Sequence, residues 1–190
     1  SNRFLDNSTN AYVWSTVSAP SVKTFIPFEP TAAYSTSTNG GSGYFDGSGD
    51  TLSITNNSAL QWGTGDFCVE CWVYPNQVAT AMNIVAIGTN NTGTFELEIY
   101  GGKIWLFTTT TVFTSTASIP ISAWTHIAVS RSGTNLYCFI NGVLDTTVTS
   151  HSYNYTNAGT FYVGCFGSGS QNYFNGIISG LRCVKGSPVY

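Results

Sequence analysis

Charge is scarce in this chain: Asp, Glu, Lys and Arg make up 8% of its 190 residues, where a soluble domain usually carries about 25%. Its surface must therefore be kept polar by Ser, Thr, Asn and Gly, a composition more familiar in extracellular or particle-surface β-proteins than in cytosolic enzymes. Basic residues are fewest of all. The six, Arg3, Lys23, Lys103, Arg131, Arg182 and Lys185, are scattered, and the net charge is −3, so there is no stripe to track a phosphate backbone and nucleic acid is excluded as a partner. No stretch approaches the about 20 apolar residues of a spanning helix, which argues against membrane insertion. The five cysteines are odd in number and lack paired spacing, which argues against a disulfide framework and for folding in a reducing cytoplasm. Ser1-Asn2-Arg3 shows no signal-peptide pattern, and the chain is expected to be one domain over 1–190, a fragment of a longer polypeptide. Helical periodicity and internal repeats are missing too.

What is present is strand alternation. Residues 67–75 place Phe67, Val69, Cys71 and Val73 on one face and Cys68, Glu70, Trp72 and Tyr74 on the other, the pattern of a central strand with one apolar and one aromatic side. Before it, residues 1–42 are expected as extended segments and loops, with Pro20, Pro27 and Pro30 excluding long helix. Residues 43–54 read as strand, tight turn, strand, and 56–60 as loop or a single helical turn. Further strands are expected over 124–131, 136–140, 143–148, 160–165 and 176–185, with Asn141-Gly142 a strong hairpin signal. Short strands with turns between them predict an all-β, two-sheet antiparallel sandwich of jelly-roll type.

The most informative hairpin runs from Phe95 to Phe107. Gly101-Gly102 leaves a two-residue loop, which pairs Tyr100 with Lys103, Glu98 with Trp105 and Glu96 with Phe107. Phe95, Leu97, Ile99, Ile104 and Leu106 then form the core face. The opposite row, Glu96, Glu98, Tyr100, Lys103, Trp105 and Phe107, combines rings with hydrogen-bonding groups, as a sugar requires. A covering loop or a neighbouring subunit would use the same row.

The phrases at residues 43–50, 67–75, 124–131, 139–143 and 174–182 occur in an order that resembles the concanavalin A-like, laminin G-type jelly-roll domain. The Ser/Thr/Asn-rich lead-in and the ending Val184-Lys185-Gly186-Ser187-Pro188-Val189-Tyr190 look most like versions from tailed-phage virion proteins. The resemblance implies two antiparallel sheets, one often concave, in a non-enzymatic module of a virion surface. Its partners would be surface glycan or other virion subunits, with oligomerisation through the virion. A structural decoration domain without ligand is the alternative, and a glycan hydrolase using Glu96 and Glu98 is a second.

Those two acids share one strand face about 7 Å apart, within hydrolytic range. Relatives that are glucanases carry a further acid near such a pair, where this chain has Leu97 and Tyr100. His126 and His151 show no acidic neighbour in sequence, so His126 is expected to be structural. Cys68 and Cys71 have CxxC spacing, but on a strand their sulfurs point to opposite faces, and packed thiols are expected. Asp46 and Asp50 place oxygens that can suit calcium, although a plain polar turn is favoured and no cofactor is required. Trp14, Trp62, Trp72 and Trp124 are expected as core anchors.

Overall fold

The computed structural model describes residues 41–55, 57–88 and 93–190, so the lead-in over residues 1–40, with Trp14, lies outside the described residues. Among the described residues, twelve strands form two antiparallel sheets. The first sheet has the order β1-β12-β3-β8-β9-β10 and the second β2-β11-β4-β5-β6-β7. In the first, β1 is Ser42–Asp46, β3 Phe67–Pro75, β8 Thr125–Ser132, β9 Asn135–Ile140, β10 Val143–Val148 and β12 Asn175–Lys185. The second comprises β2 Leu52–Ile54, β4 Met82–Ile87, β5 Phe95–Tyr100, β6 Lys103–Phe107, β7 Thr111–Thr114 and β11 Phe161–Val163. A short helical turn covers Ser58–Leu60.

The core lies between the sheets and follows the alternation. Phe67, Val69, Cys71 and Val73 from β3 are fully buried, as are Phe95, Leu97, Ile99, Ile104 and Leu106 from the β5–β6 hairpin. Trp62 stacks on Phe67 with ring centroids 4.7 Å apart and meets Phe95 edge-on at 4.9 Å. Such aromatic pairs add about 0.5–1.5 kcal/mol each beyond the area they bury.

Three expectations change. Strands β1 and β2 exist on either side of the turn at residues 47–51 but do not pair; β1 joins β12 and β2 joins β11, so the turn carries the chain from one sheet to the other. Strands β4 and β7 stand where no strand was expected. Among the tryptophans, Trp62 is a core anchor, whereas Trp72 lies on the outer face of β3 against His126 at 5.2 Å, and Trp124 is half-buried beside Tyr74. Indole size favours burial in general, but strand parity decides which side of a sheet receives it.

Candidate functional site

The β5–β6 hairpin turns on Gly101 and Gly102, whose φ angles of 58° and 74° lie in the left-handed region. That geometry is available to glycine at little cost and matches the twist of the two strands. The register that follows sets Glu96 opposite Phe107, Glu98 opposite Trp105 and Tyr100 opposite Lys103, as the spacing predicts. All six side chains therefore stand on the outer face of the second sheet.

Five of them line one cleft. Glu96, Glu98, Tyr100, Trp105 and Phe107 form a wall and floor, and Ala81, Phe166, Gln171 and Asn172 complete a space of about 280 Å³. The rings of Trp105 and Phe107 are 5.6 Å apart and within 7° of parallel. The Trp105 Nε1–H donates to the Tyr100 carbonyl at 3.0 Å, which fixes the indole. On the far side, the segment joining β11 to β12 is closed by the Phe166 N–H donating to the Gln171 carbonyl at 2.9 Å and held to β4 by the Asn83 N–H donating to the Asn172 carbonyl at 2.9 Å.

Lys103 departs from the expected site. Its ammonium donates to the Thr116 carbonyl, and it is absent from the cleft lining. A carbonyl at the end of the neighbouring loop satisfies the cation, so the row divides after Tyr100.

Burial shapes the acids. Glu96 and Glu98 are 3% and 6% exposed, and burial raises the Glu98 carboxyl to about 7. A folded pKa above the unfolded 4.5 means that the native chain holds this proton across pH 4.5 to 7 while the unfolded chain releases it, so its contribution to stability falls as pH rises through that window. Glu98→Gln removes the cost of the buried charge. The open cleft admits solvent and discounts that cost, and the variant should gain about 1–2 kcal/mol at pH 8, roughly 3–6 °C in Tm. Thermal unfolding at pH 8 and at pH 4 checks this, because the gain must vanish at the lower value.

The other candidates are turn and packing residues. The Asp46 carboxylate accepts from the Ser48 N–H at 2.7 Å, and Asp50 accepts from the Asp46 N–H at 3.0 Å, so both acids brace their own turn. Among the described residues no group of three or more His, Cys, Asp or Glu could hold a metal ion. Cys68 and Cys71 are buried free thiols, on opposite faces of β3, and burial raises both thiol pKa values.

A second polar cluster corrects the reading of His126. On the outer face of the first sheet its Nε2 lies 3.3 Å from the Glu70 carboxylate, so an acidic neighbour is present after all, supplied by the adjacent strand. Arg182, directly opposite Glu70 across the β3–β12 pair, and the Tyr190 hydroxyl both donate to the same carboxylate. Burial alone would raise the Glu70 pKa, but hydrogen bonding from His126 and Tyr190 and the charge of Arg182 hold it below its ordinary value. Its oxygens are occupied from within the chain, the arrangement of a structural ion pair. Arg182 sits in a strand 112 residues away from Glu70, a separation at which no sequence signal names the partner.

No curated protein is significantly similar to the chain in sequence. Solved structures share its fold. Domains LG4-5 of the mouse laminin α1 chain superpose with a TM-score of 0.54 at 15% identity over 77% of this chain and 41% of that one. CBM40 of the Ruminococcus gnavus IT-sialidase, bound to α2,3-sialyllactose, gives 0.55 at 12% identity, covering 76% and 95%. Domain 4 of an extracellular arabinanase from Geobacillus stearothermophilus, in complex with arabinotriose, gives 0.53 at 18% identity, covering 82% and 87%. The chain spans less than half the length of the laminin structures it matches. The Laminin_G_3 family model matches residues 34–187, and with its two antiparallel sheets of six strands each the chain belongs to the concanavalin A-like lectin/glucanase superfamily.

Proposed function

We propose that the chain is a non-enzymatic glycan-binding module whose sugar site is the β5–β6 cleft. One observation carries this reading: the parallel rings of Trp105 and Phe107 share a cleft with Glu96, Glu98, Gln171 and Asn172. The C–H face of a sugar ring packs on aromatic surface, while its hydroxyls need carboxylate and amide partners placed around the rim. The superfamily supports it, since an arabinotriose and a sialyllactose occupy two structures of this fold.

Hydrolysis is the weaker reading. Glu96 and Glu98 share one strand face, but the further acid that glucanases carry near such a pair is replaced here by Leu97 and Tyr100. The setting we assign is the exterior of a particle such as a virion, in line with the 8% charged composition.

Trp105→Ala tests the site. Removing the indole should weaken binding to the glycan best retained on an array by at least about thirtyfold, the scale of a stacking anchor. Trp105 lies on an outer face, so Tm should stay within a few degrees. Undiminished binding by a folded variant would overturn the assignment, and cleavage of polysaccharide by the parent chain but not by Glu98→Gln would replace it with hydrolysis.

A further inference from the structure

Glu98 stands in the cleft wall with no partner of its own. It is 6% exposed and lines the cleft, and among the described residues no hydrogen bond or ion pair reaches its carboxylate. Buried polar groups are nearly always paired in folded proteins, so a carboxyl held this way at a cleft wall is placed to meet the polar atoms of a ligand. The side chains set around it are uncharged or acidic. Strand β6 places Trp105 opposite Glu98 and β4 places Asn83 there. The segment between β11 and β12 brings Gln171 and Asn172 to the cleft, and on β5 the ionisable side chains of the same face are Glu96 and Tyr100. Burial is the cause of the raised Glu98 pKa, about 7, so near neutral pH this carboxyl is part protonated in the free chain.

Resting on the sugar-site reading above, we infer that the cleft binds neutral glycan with loss of a proton from Glu98: two ring hydroxyls donate to its carboxylate, so the module holds sugar at and above neutral pH and releases it in acid. The Trp105 Nε1–H is already committed to the Tyr100 carbonyl, so the indole offers a sugar its face and not its donor. Glu98 supplies the acceptor.

Hydrogen bonds to an ionised carboxylate are about twice as strong as neutral ones. Two of them stabilise the charged form and pull its pKa down, and the proton passes to solvent. A protonated carboxyl spends one oxygen on its own O–H and accepts the same pair of hydroxyls more weakly. The complex therefore holds fewer protons than the free chain, and affinity rises with pH until the free carboxyl is fully ionised.

The experiment probes an array of neutral oligosaccharides, namely glucans, mannans, galactans and arabinans, with the whole chain at pH 8 and pH 5.5. The oligosaccharide retained best is then titrated calorimetrically across that range in two buffers of different ionisation enthalpy. Affinity should be at least about tenfold higher at pH 8 than at pH 5.5, and at pH 7 each binding event should release about half a proton. Glu98→Gln keeps the side-chain volume and should release no proton, with affinity changing less than about twofold over the range. Glu96→Gln should keep the pH profile of the parent. Affinity that is flat with pH or rises in acid would overturn the inference and leave the sugar site standing. A pH profile that survives Glu98→Gln, or disappears with Glu96→Gln, would overturn it equally. No retention of any arrayed glycan at either pH would overturn the sugar-site reading itself.

Discussion

Arg131→Ala should destabilise the chain by about 3–5 kcal/mol, because it strips a buried guanidinium from several backbone carbonyls at once. Arg131 is 1% exposed and ends the inward row of β8, opposite Phe67. Its Nε donates to Gly133 at 3.0 Å, one terminal nitrogen to Tyr153 at 2.8 Å and the other to His151 at 3.0 Å, all on carbonyl oxygens. A planar fork with five donors can serve several acceptors from one buried position, and an ammonium cannot copy that geometry. The carbonyls of residues 151 and 153 belong to the segment after β10, which is tied to the loop before β3 through the Gly63–Tyr155 backbone pair at 2.9 Å in each direction. Removing the arginine should therefore free that segment as well as weaken the core. Urea unfolding and limited proteolysis measure the two effects. Arg131→Met, which keeps an apolar stem, should recover no more than about 1–2 kcal/mol. A loss below about 1 kcal/mol in the alanine variant would mean that water replaces the guanidinium without cost.

Glu70→Ala should cost about 2–4 kcal/mol and release the end of the chain from the first sheet. The carboxylate is the shared acceptor for His126, Arg182 and Tyr190. Without it the buried imidazole loses a carboxylate contact, while Arg182, about one-third exposed at its side chain, can turn to water, which holds the cost below that of a fully enclosed pair. Tyr190 also packs on Phe139 at 5.3 Å, too little by itself to hold the tail. The Val189 backbone bonds the Cys68 thiol, so loss of the tail should uncover a cysteine that is fully buried in the parent chain. Mass mapping after a thiol reagent should show Cys68 modified at least about tenfold faster in the variant, following its new access. Protection equal to the parent's would show that the tail is held by packing instead. The pH response is opposite in sign to that of Glu98. A folded pKa held below the unfolded 4.5 gives stability that is fully present above 4.5 and lost as pH falls through the lower folded value. Acid unfolding should begin at higher pH in Glu70→Ala than in the parent.

Both contrasts show which information is local. The β5–β6 hairpin follows from alternation over eleven residues and a two-glycine turn, and the structure places Glu98 opposite Trp105 and buries the five core residues as that pattern requires. Asn141-Gly142 likewise joins β9 to β10. Strand β4 leaves no such trace. All six of its residues are buried, and Asn83 is the one polar residue in the run Met82–Ile87, too little to reveal a period of two. Its bulge between Asn83 and Val85 further shifts the register that positions Asn83 beside Glu98.

By itself, then, the sequence determined the strand class, the side-chain parity of strands that alternate, such as β3, β5 and β6, and the identity of the aromatic and acidic row. Tertiary structure alone decided that Phe166, Gln171 and Asn172 close that row into a cleft, that Lys103 turns away from it and that Glu70 meets His126 and Arg182. The reason is that a period of two settles which side chains share a face within one strand, whereas the neighbours of that strand depend on contacts between segments as much as 138 residues apart. Several pairings of similar strands satisfy the local pattern equally well, and the packing of the two sheets chooses among them.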